Sequence, residues 1–206
     1  SIVEFIKKSP KTELHLHIEG TLEPEQMFLF AKRNNVQISF KNINEVKEAY
    51  NFNNLESFLK IYYEGAKVLL KENDFFELTW AYVLKCKEDN IVHTEIFFDP
   101  QTHTNRGISF DIIINGIYKA LKKAEKEFGL SFKIIMCFLR HLNEEECFNI
   151  LDQALAHKDK IFGVGLDSSE TNNPPKKFER LFKKAAENNF ITVAHAGEEG
   201  PPEYIW

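Results

Sequence analysis

The chain has 206 residues, of which 43% are hydrophobic and 13% aromatic, and its formal net charge at pH 7 is −5. This length and apolar content suffice for one large domain, and the acidic balance offers no basic surface for nucleic acid. No apolar run is long enough to cross a membrane, and the first residues lack the pattern of a signal peptide. Three cysteines without metal-type spacing favour free thiols in a reducing cytoplasm.

Strand-like and helix-like segments alternate along the chain. The first strand is followed by a long helical region, and single amphipathic helices such as SFDIIINGIYKALKKAEKEFG separate the later strands. Asn143 is the predicted N-cap of the helix after the third strand. The segment NPPKKF opens the helix after the fourth strand, since proline is tolerated in a first turn. The predicted strands cover residues 12–17, 91–100, 130–140, 161–167 and 190–197.

Short apolar strands that alternate with helices predict a parallel sheet with helices packed on its faces. Polar residues recur at the carboxyl ends of these strands, where a (β/α) barrel or an open doubly wound sheet keeps its chemistry. These residues are His17, Asp99, Arg140, Asp167 and His195. No repeat, low-complexity tract or linker marks a boundary, so residues 1–206 are predicted to belong to a single domain.

The stretch TELHLHIEG, residues 12–20, places two histidines one residue apart in an apolar strand. Alternate side chains of a strand share a face, so His15 and His17 are predicted to point the same way. Glu13 and Glu19 follow the same alternation. Two adjacent buried imidazoles need partners for their nitrogens, and neutral imidazole is a common zinc ligand.

His195 offers a third ligand, because it ends the last predicted strand within TVAHAGEEGPP. The glycine after it lets the backbone turn sharply, and Glu198 follows that turn. Three histidines from two strand ends can hold a divalent ion and leave a position open for water, which distinguishes catalytic from structural zinc. The alternative is that these histidines are hydrogen-bonded core residues. His103 and His141 follow strand ends and are interpreted as cleft neighbours rather than ligands.

Five stretches of the chain resemble the adenosine/adenine deaminase family of the amidohydrolase superfamily, in family order and at family-like spacing. They are ELHLHIEGTLEPE, EIFFDPQTHT, GVGLDSSE, PPKKF and VAHAGEEGPPEYIW. The resemblance implies an α/β fold, the (β/α)8 barrel of metal-dependent hydrolases, of which about five β/α units lie in this chain. It also implies one zinc ion per site, a small purine as substrate, and a reaction that replaces the purine 6-amino group with oxygen.

Under this resemblance, His15 and His17 match the paired zinc ligands after the first strand, and His195 matches the third histidine ligand. Glu198 matches the glutamate that protonates the purine ring nitrogen beside the attacked carbon. Attack at C6 pushes electron density onto N1, where a positioned carboxylic acid stabilises the change. Cytidine-type zinc deaminases carry a P-C-x-x-C signature. This chain has no C-x-x-C, so editing of nucleic-acid bases is not supported.

Two departures from the adenosine-acting members make the chain resemble the adenine deaminases of cytoplasmic purine salvage. Adenosine-acting members tend to have aspartate at the position of Glu19, and a Gly-Asp-Glu turn where this chain has Ser168 and Ser169. Glu19 either fills the volume that a sugar would occupy or anchors the following turn. Ser168 and Ser169 are candidate contacts to the ring edge. The expected reaction converts adenine to hypoxanthine and ammonia, with adenosine as the alternative substrate.

The chain ends at Trp206 after five predicted strands, so it is expected to be the N-terminal portion of one catalytic barrel. The late histidine and the Asp-Asp pair that the resemblance implies have no counterpart after Asp167. By itself the chain is therefore expected to deaminate adenine slowly, or to be a non-catalytic remnant. Unpaired strands at the two edges of the sheet also predict pairing with a second copy.

Overall fold

Five parallel strands in the order β1-β2-β3-β4-β5 form the sheet of the computed structural model, which describes residues 1–206. The strands are β1 Lys11–His17, β2 Ile91–Phe98, β3 Ser131–Leu139, β4 Gly163–Asp167 and β5 Ile191–Thr192. The helices are α1 Ile2–Lys8, α2 Pro24–Asn34, α3 Ile43–Ala49, α4 Leu55–Ala66, α5 Glu72–Glu88, α6 Pro100–Thr104, α7 Phe110–Phe128, α8 Glu144–Ala156 and α9 Glu179–Glu187. Three short 3₁₀ turns cover Ile18–Thr21, Pro175–Phe178 and Pro202–Ile205. The predicted alternation of strands and helices in a parallel α/β sheet is confirmed.

Helix α7 illustrates how local sequence sets these elements. Its N-cap is Ser109, whose hydroxyl accepts the Ile112 N–H at 3.4 Å, and it ends at Gly129 in the left-handed conformation at φ 72°. At Gly116 the helix meets α5 so closely that a Cβ atom would lie 2.5 Å from the Glu72 carbonyl oxygen. A glycine is therefore required where the two helices cross.

The two faces of the sheet are different. One face packs against the helices and forms the main hydrophobic core, which includes Ile96 and Phe138. The opposite face carries a small buried cluster of Phe97, Ile135 and Cys137. Because strand side chains alternate, this second face also receives the polar residues at the strand ends. None of the helices combines the length and the apolar composition needed to cross a membrane.

Strand β1 departs from simple alternation. Its pairing with β2 shifts register between Glu13 and Leu16, and such an irregularity changes the phase of the side chains. The Glu13 carboxylate accepts a 2.6 Å hydrogen bond from the Tyr82 hydroxyl of α5. The prediction that Glu13 shares a face with His15 and His17 is therefore wrong.

The last predicted strand, 190–197, is much shorter in the structure, where only Ile191–Thr192 is regular strand. Parallel pairing nevertheless continues, because the backbone N–H groups of Val193 and His195 donate to carbonyl oxygens of β4 at 3.0 Å. The backbone of residues 193–195 therefore still follows β4, although it is not regular strand, and β4 is the only neighbour of β5 in this chain. Asn143 does take the N-cap position of α8, but its side chain donates to Glu146 instead of capping the helix.

Candidate active site

Three histidine side chains meet beyond the carboxyl ends of β1 and β5. The Nε2 atom of His15 lies 3.3 Å from that of His17 and 2.9 Å from that of His195. All three ligand nitrogens lie within 4.8 Å of one another. The rings of His15 and His17 pack against Phe97, which supports them from the sheet. The structure thus brings the three predicted ligands together, and their binding of a metal stays a prediction.

The partners of the other ring nitrogens decide the tautomers. His195 Nδ1 lies 3.0 Å from the Leu166 carbonyl oxygen, and His17 Nδ1 lies 3.3 Å from a carboxylate oxygen of Asp167. Because a carbonyl oxygen only accepts hydrogen bonds, Nδ1 carries the proton in His195 and Nε2 presents a lone pair. The nearby Asp167 carboxylate favours the same tautomer in His17. Burial, and then repulsion from the other two imidazoles, lowers the pKa of His15, which favours its neutral form. Neutral imidazole is the form that binds metal.

Two buried carboxylates, Asp99 and Asp167, lie behind His17. Burial raises the pKa of Asp167 to about 6 and that of Asp99 well above its ordinary value, the latter also through the charge of Asp167. The Cys137 sulfur completes a group whose ligand atoms also lie within 4.8 Å of one another. A carboxylate that accepts a hydrogen bond from the N–H group of a ligand histidine orients the ring and raises the basicity of the ligand nitrogen. Asp99 and Asp167 were noticed in the sequence only as polar residues at strand ends.

A cleft of about 310 Å³ opens beside the three histidines. Helix α4 contributes one wall, with Leu55, Phe58 and Leu59 as apolar residues. Glu198 and Ser168 also line the cleft, whereas Ser169 does not. The polar lining consists of His15, His17, Thr21, Tyr62, Tyr63, Asp99, Asp167, Ser168, His195 and Glu198. An apolar wall opposite a few convergent polar groups is the usual form of a small-molecule site.

Ser168 is held in an unusual conformation. Its φ angle is 74°, in the left-handed region that few residues other than glycine adopt. The hydroxyl lies 2.9 Å from the Tyr63 hydroxyl and 2.9 Å from His141 Nδ1. Ser169 is different, since it contacts Asn173 through its backbone: the Ser169 carbonyl oxygen accepts a hydrogen bond from the Asn173 side-chain amide. The predicted ring-edge contact therefore remains a candidate for Ser168, and the position of Ser169 does not favour it.

Glu19 does not line this cleft but lies behind it, with 2% of its surface exposed. Its carboxylate accepts hydrogen bonds from the Asp99 backbone N–H at 3.0 Å, from His103 Nε2 at 3.1 Å and from the Tyr62 hydroxyl at 3.1 Å. Burial acts to raise the pKa of Glu19, but its hydrogen bonds, from His103 and from the Asp99 backbone among others, together outweigh burial and lower that pKa. This position corrects the predicted substrate contact, because the Glu19 carboxylate binds Asp99, His103 and Tyr62 behind the cleft. The alternative was that Glu19 anchors the turn that follows it, whereas these partners lie on other elements.

His103 and Arg106 extend this anchor. His103 is fully buried and donates from Nε2 to Glu19, and its Nδ1 lies 2.8 Å from an Arg106 Nη2 donor. Arg106 also donates to the carbonyl oxygens of Lys67 and Ala66 at the end of α4. The cleft wall formed by α4 is thereby tied to the strand-end loop of β2. His103 therefore supports the cleft from behind, and the interpretation that it is not a metal ligand agrees with its position.

Two further buried residues, Arg140 and Glu170, surround the segment that carries His195 and Glu198. Arg140 Nη1 donates to the His195 carbonyl oxygen at 2.7 Å. The Glu170 carboxylate accepts the N–H groups of Gly197, Glu199 and Gly200 at 2.8 Å each. Burial acts to raise the pKa of Glu170, and these three hydrogen bonds outweigh it and lower that pKa. Glu170 received no role from the sequence, although it lies within the GVGLDSSE stretch.

A parallel α/β sheet with three convergent histidines at its carboxyl edge has the features of an amidohydrolase-type barrel site. A family model described as Adenosine deaminase matches residues 10–206. The chain therefore belongs to the adenosine deaminase family. This agrees with the resemblance inferred from the five sequence stretches.

The relatives of the chain include proteins named adenine deaminase. The adenine deaminase of Acinetobacter baylyi is 60% identical over 203 residues, which are 98% of this chain and 61% of the relative. The adenine deaminase of Wolinella succinogenes is 60% identical over 206 residues, which are 100% of this chain and 62% of the relative. The chain thus spans about three fifths of the length of these relatives.

Solved structures show the same fold. An adenine deaminase from Arthrobacter aurescens matches with a TM-score of 0.92 at 47% identity, over 95% of this chain and 60% of that one. An amidohydrolase from Burkholderia ambifaria, solved with bound Zn, matches with a TM-score of 0.87 at 25% identity, over 98% of this chain and 56% of that one. The parallel five-stranded sheet described above is therefore part of an amidohydrolase barrel fold.

Proposed function

We propose that the full-length gene product carrying this chain is a zinc-dependent adenine deaminase, which hydrolyses adenine to hypoxanthine and ammonia. The observation that carries the proposal is the convergence of the His15, His17 and His195 Nε2 atoms in a cleft that Glu198 also lines. Family membership and the names of the relatives support the same reaction. The activity is proposed for the whole protein because this chain spans only part of its relatives.

The three histidines fit a zinc ion. The hydrogen bond of His195 Nδ1 to Leu166 and the closeness of His17 Nδ1 to Asp167 favour free lone pairs on both Nε2 atoms. These Nε2 atoms lie 2.9 Å (His195) and 3.3 Å (His17) from His15 Nε2. A proton on His15 Nε2 can satisfy only one of these lone pairs well, whereas a divalent cation satisfies all of them. Three nitrogen ligands with an open position are typical of catalytic zinc. When bound, such an ion supplies Lewis-acid activation of water for attack on the substrate.

Glu198 is the residue that we assign to proton transfer. As the amino-bearing carbon of adenine becomes tetrahedral, the adjacent ring nitrogen N1 gains electron density. A carboxylic acid in the cleft stabilises that change by donating its proton to N1. Carboxylate oxygens of Asp167 and Asp99 lie 3.3 Å and 4.0 Å from His17 Nδ1 and favour a proton on that nitrogen. The apolar wall of α4 provides a surface against which a flat heterocycle packs and from which water is excluded.

Adenine is the proposed substrate because the relatives at 54–60% identity carry that name. Glu19 also departs from the aspartate that adenosine-acting members tend to have. This is a resemblance to the adenine-acting members and not a substrate contact, because Glu19 binds Asp99, His103 and Tyr62 behind the cleft. A cytoplasmic location completes the proposal, because Cys86, Cys137 and Cys147 are all free and buried.

Steady-state kinetics of the zinc-loaded protein with adenine and with adenosine test the proposal. We expect ammonia release from adenine with the higher kcat/KM, and a fall in kcat of about 10²–10⁴-fold for Glu198→Gln. Glu203→Gln is the matched control, because Glu203 is an exposed carboxylate in the 3₁₀ turn that follows the same segment. No ammonia release from adenine would contradict the activity, and a higher kcat/KM for adenosine would contradict the substrate.

A further inference from the structure

The segment from His195 to Gly200 carries two proposed active-site residues but has no regular secondary structure. Its position therefore depends on contacts from elsewhere in the chain. Glu170 makes three such contacts, since its two carboxylate oxygens accept the N–H groups of Gly197, Glu199 and Gly200 at 2.8 Å each. Two of these N–H groups belong to the residues directly before and after Glu198. The backbone on both sides of Glu198 is thus held by one side chain.

The surroundings of Glu170 make this arrangement rigid. The side chains of Glu170 and Arg140 are both fully buried, and the guanidinium lies 3.4 Å from the carboxylate. Arg140 donates to the carbonyl oxygens of His195 and Asn173 at 2.7 and 2.9 Å. Arg140 therefore supports the start of the segment and Glu170 supports the part around Glu198. Gly197 makes the turn between them possible, with a φ angle of 73°.

We propose that Glu170 is a positioning residue for Glu198: it fixes the backbone on either side of Glu198 so that the carboxyl group points into the cleft. Glu170 itself does not line the cleft, so it acts through Glu198 and not on the substrate. The inference rests on the proposed function, in which Glu198 donates a proton to the purine ring.

A carboxylate is suited to this role in a way that an amide is not. Two carboxylate oxygens accept hydrogen bonds from three N–H groups that point at them. In Glu170→Gln one oxygen becomes an NH₂ group, which donates and therefore faces the N–H groups of Glu199 and Gly200 or of Gly197 with the wrong polarity. The side chain keeps its size, so the expected effect is a displaced segment in a folded protein.

A double-mutant cycle with Glu198→Gln tests the proposal in the zinc-loaded full-length protein. Glu170→Gln alone should lower kcat for adenine about 10–100-fold, since a displacement of about 1 Å at a catalytic group can cost that much. We expect KM to change less than about threefold, because Glu170 does not touch the cleft. In the Glu198→Gln background, the further loss on Glu170→Gln should be under about threefold, since the residue it positions is already disabled.

Asp74→Asn is the matched control. Asp74 is a fully buried carboxylate that accepts two backbone N–H groups, those of Leu70 and Lys71, and pairs with Arg33, but it lies outside the cleft. Its substitution removes a comparable set of contacts, so it should lower the unfolding temperature while leaving kcat for adenine within about twofold. Should Glu170→Gln not fold, Glu170→Asp takes its place in the same cycle.

The outcomes separate the two proposals. Absence of adenine turnover by the unmodified zinc-loaded protein overturns the proposed function and the role of Glu198 with it. If the unmodified protein turns adenine over, but the fold-losses in kcat from Glu170→Gln and Glu198→Gln multiply in the double variant, only the positioning role is overturned. If Asp74→Asn lowers kcat for adenine as much as Glu170→Gln does, the positioning role is also overturned, because lost stability would then account for the effect. A loss confined to kcat that disappears in the Glu198→Gln background supports it.

Discussion

Arg140→Met tests whether Arg140 stabilises the proposed metal site in addition to the fold. The Arg140 side chain is fully buried, and it joins β3 to the segment that carries His195. Its guanidinium donates to the carbonyl oxygens of His195 and Asn173 and lies 3.4 Å from Glu170. Methionine fills much of the volume of the aliphatic stem but replaces none of these polar contacts.

The expected loss of stability follows from those contacts. Each of the two carbonyl oxygens loses a charged donor, which costs about 1–3 kcal/mol when the acceptor stays buried. Removing one partner of a buried ion pair costs about 3–5 kcal/mol in general. Here the cost is lower, because Glu170 keeps three backbone N–H donors. Since these effects overlap, we expect the free energy of unfolding to fall by about 3–5 kcal/mol in total.

Zinc affinity should fall as well, by about tenfold, because groups that orient a ligand residue typically contribute 10–100-fold to metal binding. Urea unfolding of the metal-free protein measures the stability, and competition with a chromophoric chelator measures the affinity. Arg106→Met is the control, since Arg106 also donates to backbone carbonyl oxygens, those of Lys67 and Ala66, but at the end of α4. Arg106→Met should lower stability and leave zinc affinity unchanged. Equal zinc affinities in the Arg140 and Arg106 variants would refute the reasoning.

Two further predictions concern packing and pH. In Gly165→Ala the new Cβ would lie 2.7 Å from the Cys137 sulfur. We therefore expect the free energy of unfolding to fall by about 1–3 kcal/mol. Adding Cys137→Ala to this variant should restore at least about half of that loss. Urea unfolding of the single and double variants checks this, and an unaffected single variant would contradict it. Burial lowers the pKa of His103 below its ordinary value of 6.5, despite the opposing hydrogen bond to Glu19. Its neutral form therefore contributes stability that is complete above pH 6.5 and is lost as the pH falls toward the lowered pKa. Asp167, whose pKa is raised to about 6, acts in the opposite direction over part of this range, so the test is a difference between two metal-free proteins. From pH 7.5 to 5.5, the free energy of unfolding of the unmodified protein should change less favourably than that of His103→Gln, and parallel pH profiles would count against this account.

Much of the fold is determined by local sequence patterns. Short apolar runs that end before Asp99 and at Asp167 predict strands, and the helices between them require the strands to be parallel. Parallel strands bring their carboxyl ends to one edge of the sheet. Strand order alone places His17 and His195 on the same side of the molecule but at opposite edges of the sheet. Their proximity also requires the sheet to curve as a barrel does, which the family resemblance implied. His15 shares the face of His17 two residues away, as strand geometry requires.

Other features depend on which strands and helices are neighbours, so local patterns predicted them poorly. The alternation that placed Glu13 beside the histidines fails because β1 shifts register against β2, and Tyr82 of α5 binds its carboxylate instead. The strand predicted over 190–197 is regular only at Ile191–Thr192, although Val193 and His195 still donate to β4. In both places contacts with neighbouring elements, which a residue's own propensity does not encode, accompany the departure from the predicted strand.

The sequence by itself determined the parallel α/β architecture, the family, and the three histidines and one glutamate of the proposed site. Only the tertiary structure decided how those residues are held. Glu170 reaches Gly197 across 27 residues of chain, and Arg140 reaches His195 across 55. Such contacts join a buried side chain to a distant backbone group, and they leave no periodic pattern in the sequence. A polar residue after a strand that binds a distant loop cannot be distinguished in the sequence from one that faces solvent. The supporting roles of Glu170 and Arg140 are therefore identified only from the tertiary structure.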